Sequence, residues 1–344
     1  METRLAASHG RVLRIRSGSI VTLDDIKQAQ ARLQGIAVRT RLLEWQFDKP
    51  PASDGRRLFL KPENQQPIGS FKLRGAYNKI ASLSEDERKR GVISYSSGNH
   101  AQGVAYAARA LGVKAVIVMP NNAPAIKRQA TAGMRAEIVL VGPGSDERMA
   151  RAQELAALHG YVIVPPYNDE KIIAGQGTMG LEILEDLPNV QTVLAPVGGG
   201  GMISGIASSI KLSKPAVKVI GVEPELAADA QASLHSGHVI RFPAEQVTRT
   251  IADGLRTQSV GEINFEHMRK FVDEIVTVTE SEIREAMRQL AGNPKTVAEP
   301  SGAVAVAAFL FHRDQLPETQ LNAALVSGGN IEPEMLKKLR QAVR

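Results

Sequence analysis

The chain has 344 residues, which is enough for two domains or one large α/β unit and excludes a small module. Its 43% hydrophobic and 23% charged residues are typical of a globular protein, and the absence of an apolar run of about 18 residues excludes a membrane protein. A net charge of +6 without a basic block disfavours nucleic-acid binding, and zero cysteines exclude disulfides and thiolate chemistry.

The first twenty residues contain four arginines and one acidic residue, but no continuous apolar segment. A secretory signal is therefore disfavoured. An organelle transit peptide fits this composition loosely, and a disordered leader is the simpler interpretation. We predict a cytoplasmic protein.

Residues 64–80 read NQQPIGSFKLRGAYNKI and predict a helix that begins after Ser70, a plausible N-cap. Its buried stripe would be Leu73, Ala76, Tyr77 and Ile80. Lys72 would lie in the first turn, where the helix dipole and apolar neighbours both disfavour a cation. Such an amine is a candidate nucleophile toward carbonyl groups and pyridoxal phosphate, although a solvated surface lysine is the usual interpretation of a single Lys.

From about residue 90, short apolar runs alternate with amphipathic helical patterns. The runs are GVISYS (91–96), KAVIVMP (114–120), AEIVLVG (136–142), YVIVPP (161–166), QTVLAPV (191–197), VKVIGVEP (217–224), EIVTVTE (274–280) and AALVSGG (323–329). This alternation predicts an α/β fold with mostly parallel sheets and helices on both faces. Polar and turn residues at 82–91 and 165–172 indicate breaks that enclose about three β/α units.

The first of these strands runs into the polar loop Ser96, Ser97, Gly98, Asn99 and His100, which precedes a helical pattern. Backbone amides at a helix start can bind an anion such as a substrate carboxylate. Serine and asparagine are also ordinary N-caps, and that interpretation is favoured when the loop is considered alone.

Four consecutive glycines, residues 198–201, join a predicted strand to a helix with the apolar stripe Ile203, Ile206, Ala207 and Ile210. Backbone amides that no side chain covers, at the positive end of a helix, form a phosphate cradle. The spacing matches neither the dinucleotide-binding glycine pattern nor the P-loop. A purely structural loop is the alternative.

The last predicted strand ends in Ser327, Gly328, Gly329 and Asn330. The carboxyl ends of parallel strands are where α/β proteins bind ligands. A serine there can offer one neutral hydrogen bond to a ring nitrogen.

The motifs SFKLRG, SSGNH, GGGG and SGGN, in this order and spacing, resemble the fold-type II pyridoxal-phosphate enzymes of the threonine/serine dehydratase and serine racemase family, whose fold is tryptophan synthase β-like. The resemblance extends from about residue 20 to 335 and includes IIAGQGTMGLEIL, TIADGLR, DEIVTVTESEI and AEPSGAVAVAA. It implies a large cofactor-binding domain formed by 1–90 and 169–344, a small domain at 91–168, and a homodimer. Because the sequence continues for only fourteen residues after Asn330, no C-terminal regulatory domain is expected.

The resemblance also implies a role for each matching residue. Lys72 would form the Schiff base and act as the base at the substrate Cα, and Ser97 would be the acid/base on the opposite face. Binding of the cofactor would involve Phe71, Asn99, Gly198, Gly199, Gly200, Gly201, Met202 and Ser327. Binding of the substrate would involve Ser96, Ser97, Gly98, Asn99, His100 and Arg148.

A divalent metal site is implied at GVEPELAADA, with Glu223, the carbonyl of Ala227 and Asp229 as hard oxygen ligands for Mg²⁺, Mn²⁺ or Ca²⁺. Solvated or capping carboxylates are the alternative. The segment PPYND, with Tyr167 and Asn168, differs by one residue in spacing from the racemase pattern, so no substrate-contacting asparagine is assigned there.

These features predict a pyridoxal-phosphate-dependent L-threonine/L-serine dehydratase, a lyase that eliminates water from a β-hydroxy amino acid. A serine at the ring nitrogen makes the cofactor a weaker electron sink than an aspartate would, which suits α,β-elimination. The alternatives are a serine racemase, a dehydratase of 3-hydroxyaspartate or phenylserine, and a non-catalytic binding protein on the same scaffold.

Overall fold

The structure is a computed structural model that describes residues 20–46, 54–96, 98–123, 125–142 and 144–341. The arginine-rich leader at residues 1–19 and the predicted catalytic Ser97 lie outside these ranges. None of the helices in the described ranges is long and apolar enough to cross a bilayer.

The strands form two separate sheets. In chain order they are β1 (Leu43–Glu44), β2 (Arg57–Pro62), β3 (Val92–Tyr95), β4 (Ala115–Pro120), β5 (Glu137–Val141), β6 (Val162–Ile163), β7 (Thr192–Pro196), β8 (Lys218–Pro224), β9 (Glu274–Val278) and β10 (Leu321–Val326). The larger sheet has the order β1-β2-β10-β7-β8-β9, and the smaller has the order β5-β4-β3-β6. Every pairing is parallel except that of the edge strand β1 with β2.

Helices cover the sheets and connect their strands. They are α1 (Leu23–Leu33), α2 (Lys72–Ala81), α3 (Glu85–Arg90), α4 (Asn99–Ala110), α5 (Ala125–Ala132), α6 (Ser145–His159), α7 (Glu170–Asp186), α8 (Gly201–Ser213), α9 (Asp229–Ser236), α10 (Ala244–Val247), α11 (Glu262–Phe271), α12 (Glu280–Leu290), α13 (Pro300–Phe311) and α14 (Pro333–Gln341). The predicted fold class, two mostly parallel sheets with helices, is confirmed.

The central strands are apolar throughout because both faces of their sheets are covered. All residues of β4 and β7 are buried. Each of the eight apolar runs that the sequence indicated contains a strand, whereas β1 and β2 were not predicted. The smaller sheet draws all of its strands from within residues 91–168, but the division into domains at these residues stays a prediction.

Glycines let the helices α2, α7 and α8 approach each other closely. A Cβ on Gly205 of α8 would lie 2.3 Å from the carbonyl oxygen of Ile173 in α7, and one on Gly175 of α7 would lie 2.7 Å from that of Arg74 in α2. Real Cβ atoms do not make such contacts, so α2, α7 and α8 are locked at a separation that only glycine permits. The helices that begin at Lys72 and at the tetraglycine are thereby held together.

One local prediction was wrong. The N-cap position of α2 is occupied by Phe71, whose backbone is helical, and no side chain caps the helix. Ser70 lies one residue earlier, where its backbone forms a bridge with Gly328, and its buried hydroxyl has no hydrogen-bond partner. The pairing of Ser70 with Gly328, after β10, determines this conformation. No sequence pattern within residues 64–80 indicates that pairing.

Candidate active site

Lys72 is the first residue of α2 and therefore lies in its first turn, as predicted. Its Nζ donates to the carbonyl oxygen of Pro166 at 2.7 Å and lies 5.2 Å from the centroid of the Phe71 ring. Burial lowers the pKa of the amine to about 8. The lowered pKa brings a fraction of Lys72 into the neutral form near physiological pH, and this is the form that attacks a carbonyl group.

The segment before α2 is joined to the chain after β10. The amide of Phe71 donates to the carbonyl of Ser327 at 3.1 Å, and the amide of Gly329 donates to that of Gly69 at 2.9 Å. Ser327 is buried, and its hydroxyl donates to the carbonyl of Ser301 at 3.3 Å. The motifs SFKLRG and SGGN, at opposite ends of the sequence, are therefore neighbours.

Asn99 is the first residue of α4, and two partners orient its side-chain amide. Its Nδ2 donates to Glu299 Oε1 at 2.6 Å, while its Oδ1 accepts from Asn330 Nδ2 at 2.7 Å. Glu299 is buried and immediately precedes α13. This carboxylate was not among the predicted site residues, and the only signal for it was its place before Pro300 in AEPSG.

Of the other predicted substrate residues that the structure describes, Ser96, Gly98 and His100 lie at this helix start and Arg148 lies on α6. Gly98 occupies the N-cap position of α4, and its amide donates to the hydroxyl of Ser96 at 3.3 Å. His100 is buried with its Nε2 3.0 Å from the Val164 carbonyl; burial and the nearby charge of Lys72 lower its pKa to about 3, so the ring is neutral. Arg148 is half-buried in α6, and burial lowers its pKa.

The tetraglycine loop ends at Gly201, the first residue of α8. Gly200 has a φ of 90°, in the left-handed region that favours glycine. A Cβ on Gly199 would lie 2.3 Å from the ring of Tyr167, and one on Gly201 would lie 2.9 Å from its Cβ. The glycines are thus needed for close packing and also leave the backbone amides accessible to an anion. These amides lie at the start of α8, where no carbonyl of the same helix accepts their hydrogen bonds.

The segment Pro166–Asn168 connects Lys72 to the glycine loop. Sequence reasoning did not predict this connection. Pro166 accepts the hydrogen bond of Lys72, the ring of Tyr167 packs on Gly199, and Asn168 Oδ1 accepts from the amide of Ile263 at 3.0 Å. Burial, with smaller contributions from Tyr95 and Asp229, raises the pKa of Tyr167 to about 12. The sequence analysis treated this segment as a break between domains and assigned no substrate-contacting asparagine in it.

The predicted metal ligands lie between the end of β8, which contains Glu223, and the start of α9 at Asp229. Glu223 and Asp229 are both fully buried, and Ala227 lies buried between them. Glu223 accepts from the amides of Ala230 and Gln231 at 3.0 and 2.8 Å, whereas neither oxygen of Asp229 has a well-formed hydrogen bond. Burial raises the pKa of Asp229 to about 7, and burial together with the charge of Asp229 raises that of Glu223.

The chain is similar to known proteins over most of its length. The family described as "Pyridoxal-phosphate dependent enzyme" matches residues 37–328. The chain is 46% identical to the L-threonine ammonia-lyase of Thermotoga maritima, over 93% of this chain and 78% of that protein. It is 42% identical to the catabolic L-threonine dehydratase of Escherichia coli, over 91% of this chain and 94% of that protein.

A solved structure extends the comparison to a second activity. The structure of maize serine racemase has a TM-score of 0.88 and 35% sequence identity, and the match covers 94% of this chain and 98% of that one. Lyases and a racemase are therefore both found among proteins similar to this one.

Proposed function

Because the chain belongs to the pyridoxal-phosphate dependent enzyme family, we propose that it is an L-threonine/L-serine dehydratase that releases 2-oxobutanoate or pyruvate together with ammonia. The threonine ammonia-lyase and dehydratase described above, similar over more than nine-tenths of this chain, support the reaction. The single observation that carries the proposal is the amine of Lys72, which has a lowered pKa and is bonded to Pro166, next to the Tyr167 ring that packs on the glycine loop.

The residues present fit pyridoxal phosphate. The amides of residues 198–202 open α8 and suit its phosphate, and a Cβ at Gly199 or Gly201 would clash with Tyr167. The oriented amide of Asn99 suits its 3′-hydroxyl, Ser327 suits its ring nitrogen, and Phe71 would lie beside the ring. Lys72 supplies the amine to which the cofactor attaches.

When bound, pyridoxal phosphate supplies an electron sink that stabilises negative charge at the substrate Cα. The neutral amine of Lys72 is suited to take the proton from that Cα, because its pKa of about 8 is near the working pH. Amides and side chains at residues 96–100 would hold the substrate carboxylate, and neutral His100 adds no competing charge. Loss of the β-hydroxyl and hydrolysis of the released enamine complete the dehydration.

The test compares Lys72→Ala with Lys79→Ala, a lysine on the same helix whose Nζ is paired with Asp169 at 2.7 Å. We expect wild type and Lys79→Ala to bind the cofactor with a visible absorbance band and to deaminate L-threonine and L-serine. Lys72→Ala should lose the band, borohydride trapping and at least a thousandfold of the activity, roughly the contribution of a positioned nucleophile and base. A colourless wild type, or a Lys72→Ala variant that still traps cofactor, contradicts the proposal.

The second candidate is a serine racemase, which the similarity to the maize enzyme favours. A racemase needs an acid/base on each face of Cα, and the resemblance assigns these roles to Lys72 and Ser97. Incubation with L-serine, followed by assays of pyruvate and D-serine, separates the two activities. D-serine formed much faster than pyruvate would overturn the dehydratase assignment, and parallel assays with 3-hydroxyaspartate and phenylserine test the other substrates.

A divalent cation bound by Glu223, Asp229 and the carbonyl of Ala227 is part of the same proposal. Two buried carboxylates repel each other, and the unpartnered oxygens of Asp229 are suited to a hard cation. Within the described residues no three acidic or imidazole side chains gather as ligands, so the backbone carbonyl would be required. Chelation should lower activity and added Mg²⁺ should restore it; an unchanged activity counts against the site.

The homodimer, which the resemblance implies, and the cytoplasmic location remain proposals. Light scattering on the eluted protein measures the mass of the assembly, and cell fractionation with an antibody measures the location. A monomer, or protein recovered from an organelle or the medium, would contradict the respective proposal.

A further inference from the structure

Four buried charges lie behind the start of α2, on the side away from the amine of Lys72. They form the four-charge cluster, which consists of Lys61, Glu63, Arg74 and Glu182, each less than one-tenth exposed. Two cations and two anions make the cluster neutral. Each member comes from a different element: β2, the short turn after it, α2 and α7.

Arg74 is the centre of the cluster. Its Nε and Nη2 donate to the two oxygens of Glu63 at 2.8 and 2.9 Å, and its Nη1 and Nη2 donate to those of Glu182 at 2.7 and 2.9 Å. Nη1 also donates to the hydroxyl of Thr178 at 3.1 Å. Two bidentate carboxylates on one planar guanidinium define its position in all directions, which a lysine cannot reproduce.

Lys61 completes the cluster from β2. Its Nζ donates to Glu182 Oε2 and to the carbonyl of Thr40, both at 2.5 Å. The hydroxyl of Thr40 donates to Glu63 Oε1 at 2.7 Å. The cluster therefore connects α2 to the large sheet through one continuous set of charged hydrogen bonds.

Helix geometry relates this cluster to Lys72. Residues two apart on an α-helix point about 200° away from each other, so Arg74 points into the cluster while Lys72 points toward Pro166. On the flanks, a Cβ on Gly103 would lie 3.1 Å from the carbonyl of Lys72, and one on Gly175 would lie 2.7 Å from that of Arg74. Helices α4 and α7 thus confine the same turn that Arg74 anchors.

We propose that Arg74 is a positioning residue for Lys72: the four-charge cluster holds the first turn of α2 so that the reactive amine stays beside the Pro166 carbonyl. Charged groups suit this role because bidentate ion pairs fix the orientation of the helix, whereas apolar packing alone permits it small rotations. The proposal rests on the proposed function only for its kinetic consequence. The position of the amine is a property of the chain itself.

The test uses the full chain with Arg74→Lys, which keeps the charge and loses the bidentate geometry. The matched control is Asn78→Ala, which removes a buried anchor from the other end of α2, where Nδ2 donates to the carbonyl of Lys171 at 2.7 Å. Trace labelling of the cofactor-free proteins with acetic anhydride across pH, read by mass spectrometry of the Lys72 peptide, gives the titration of this amine.

We expect the labelling midpoint of Lys72 in Arg74→Lys to rise by about one unit toward that of a solvated lysine. We expect no change of this midpoint in Asn78→Ala, although both variants unfold at lower denaturant. In the cofactor-loaded enzyme, kcat of Arg74→Lys should fall about a hundredfold with KM for L-threonine within about twofold, as expected when a reacting group is misplaced.

A labelling midpoint unchanged in Arg74→Lys, or shifted equally in both variants, overturns the proposal and leaves the cluster a stability element. Should Arg74→Lys fail to fold, Thr178→Val removes one neutral acceptor from Arg74 and should shift the midpoint in the same direction by less. Labelling uses neither cofactor nor substrate, so a failure of the dehydratase assignment would leave this result interpretable.

Discussion

The four-charge cluster and the Glu223–Asp229 pair are both buried ionisable regions, but only one of them is neutral. In the cluster, Glu63 and Glu182 share Arg74, and Glu63 keeps a lowered pKa despite burial because Arg74 and Lys61 stabilise its charge. In the pair, two carboxylates lie near each other without a described cation, and the pKa of each is raised.

The difference shows how to interpret buried charge. A charge that is fully paired within the chain needs nothing further and serves structure, whereas like charges left together are costly unless a ligand of opposite sign joins them. Lys72 also lacks a paired opposite charge, because its amine is hydrogen-bonded to a carbonyl rather than to a carboxylate. The two unneutralised regions are the places where we propose the cofactor and the cation.

The largest effect should come from breaking the neutral cluster. Arg74→Met leaves Glu63 and Glu182 with one cation, so we expect the free energy of unfolding to fall by about 3–5 kcal/mol. In the metal-free protein, Asp229→Asn removes one of two like charges and should cost nothing or stabilise. Urea unfolding of both variants at neutral pH measures the contrast, and equal losses would mean that the pair is satisfied within the chain.

A divalent cation should convert the unneutralised pair into a neutral one. At a free concentration of about a hundred times its Kd, Mg²⁺ or Ca²⁺ should stabilise the chelated protein by about 2.7 kcal/mol. Asp229→Asn should lose this gain, and Glu225→Gln, which changes an exposed carboxylate two residues after Glu223, should keep it. Thermal unfolding with and without the ion is the measurement; a gain that persists in Asp229→Asn would place the ion elsewhere.

The amine of Lys72, which has no paired opposite charge, should make the stability of the protein depend on pH in the alkaline range. The pKa of Lys72 is about 8 in the folded chain, against 10.5 for a fully solvated lysine, so the unfolded chain binds more protons between these values. Stability should therefore rise with pH through this window, by about 1–2 kcal/mol relative to Lys72→Met. Urea unfolding of both proteins from pH 7.5 to about 10 gives the difference, and parallel curves would show that the amine is not desolvated.

The smallest effect should come from a pair that is neutral but exposed. Lys89 Nζ and Glu85 Oε1 are 2.8 Å apart on α3, and both side chains are more than half exposed. Glu85→Gln should change the free energy of unfolding by no more than about 0.5 kcal/mol, because water already solvates both charges. If the free energy of unfolding fell as much as in Arg74→Met, the pairing of charges alone would matter, whether or not the pair is buried.

Much of the fold could be predicted because it is recorded locally. A buried parallel strand is apolar over consecutive residues, so β4 and β7 were evident from VIVM and TVLA. The glycines of 198–201 likewise indicated a loop at a helix start. In contrast, β1 and β2 are short or interrupted by charge, and Lys61 is buried only because Glu182, far along the chain, neutralises it.

The features of the site likewise divide into those that the sequence could predict and those that depended on the fold. Residue types, their order and the family resemblance predicted Lys72, the glycine loop and the acids Glu223 and Asp229 as site residues, because a reactive amine, free amides and hard oxygen ligands are properties of the residues themselves. The partners of these groups depended on contacts between distant segments: Pro166 at Lys72, Glu299 at Asn99, Tyr167 on Gly199 and the carboxylates on Arg74. Hydrogen bonds and close packing act over a few ångströms in space, whatever the separation along the chain, so only the folded arrangement of the helices and sheets could select them.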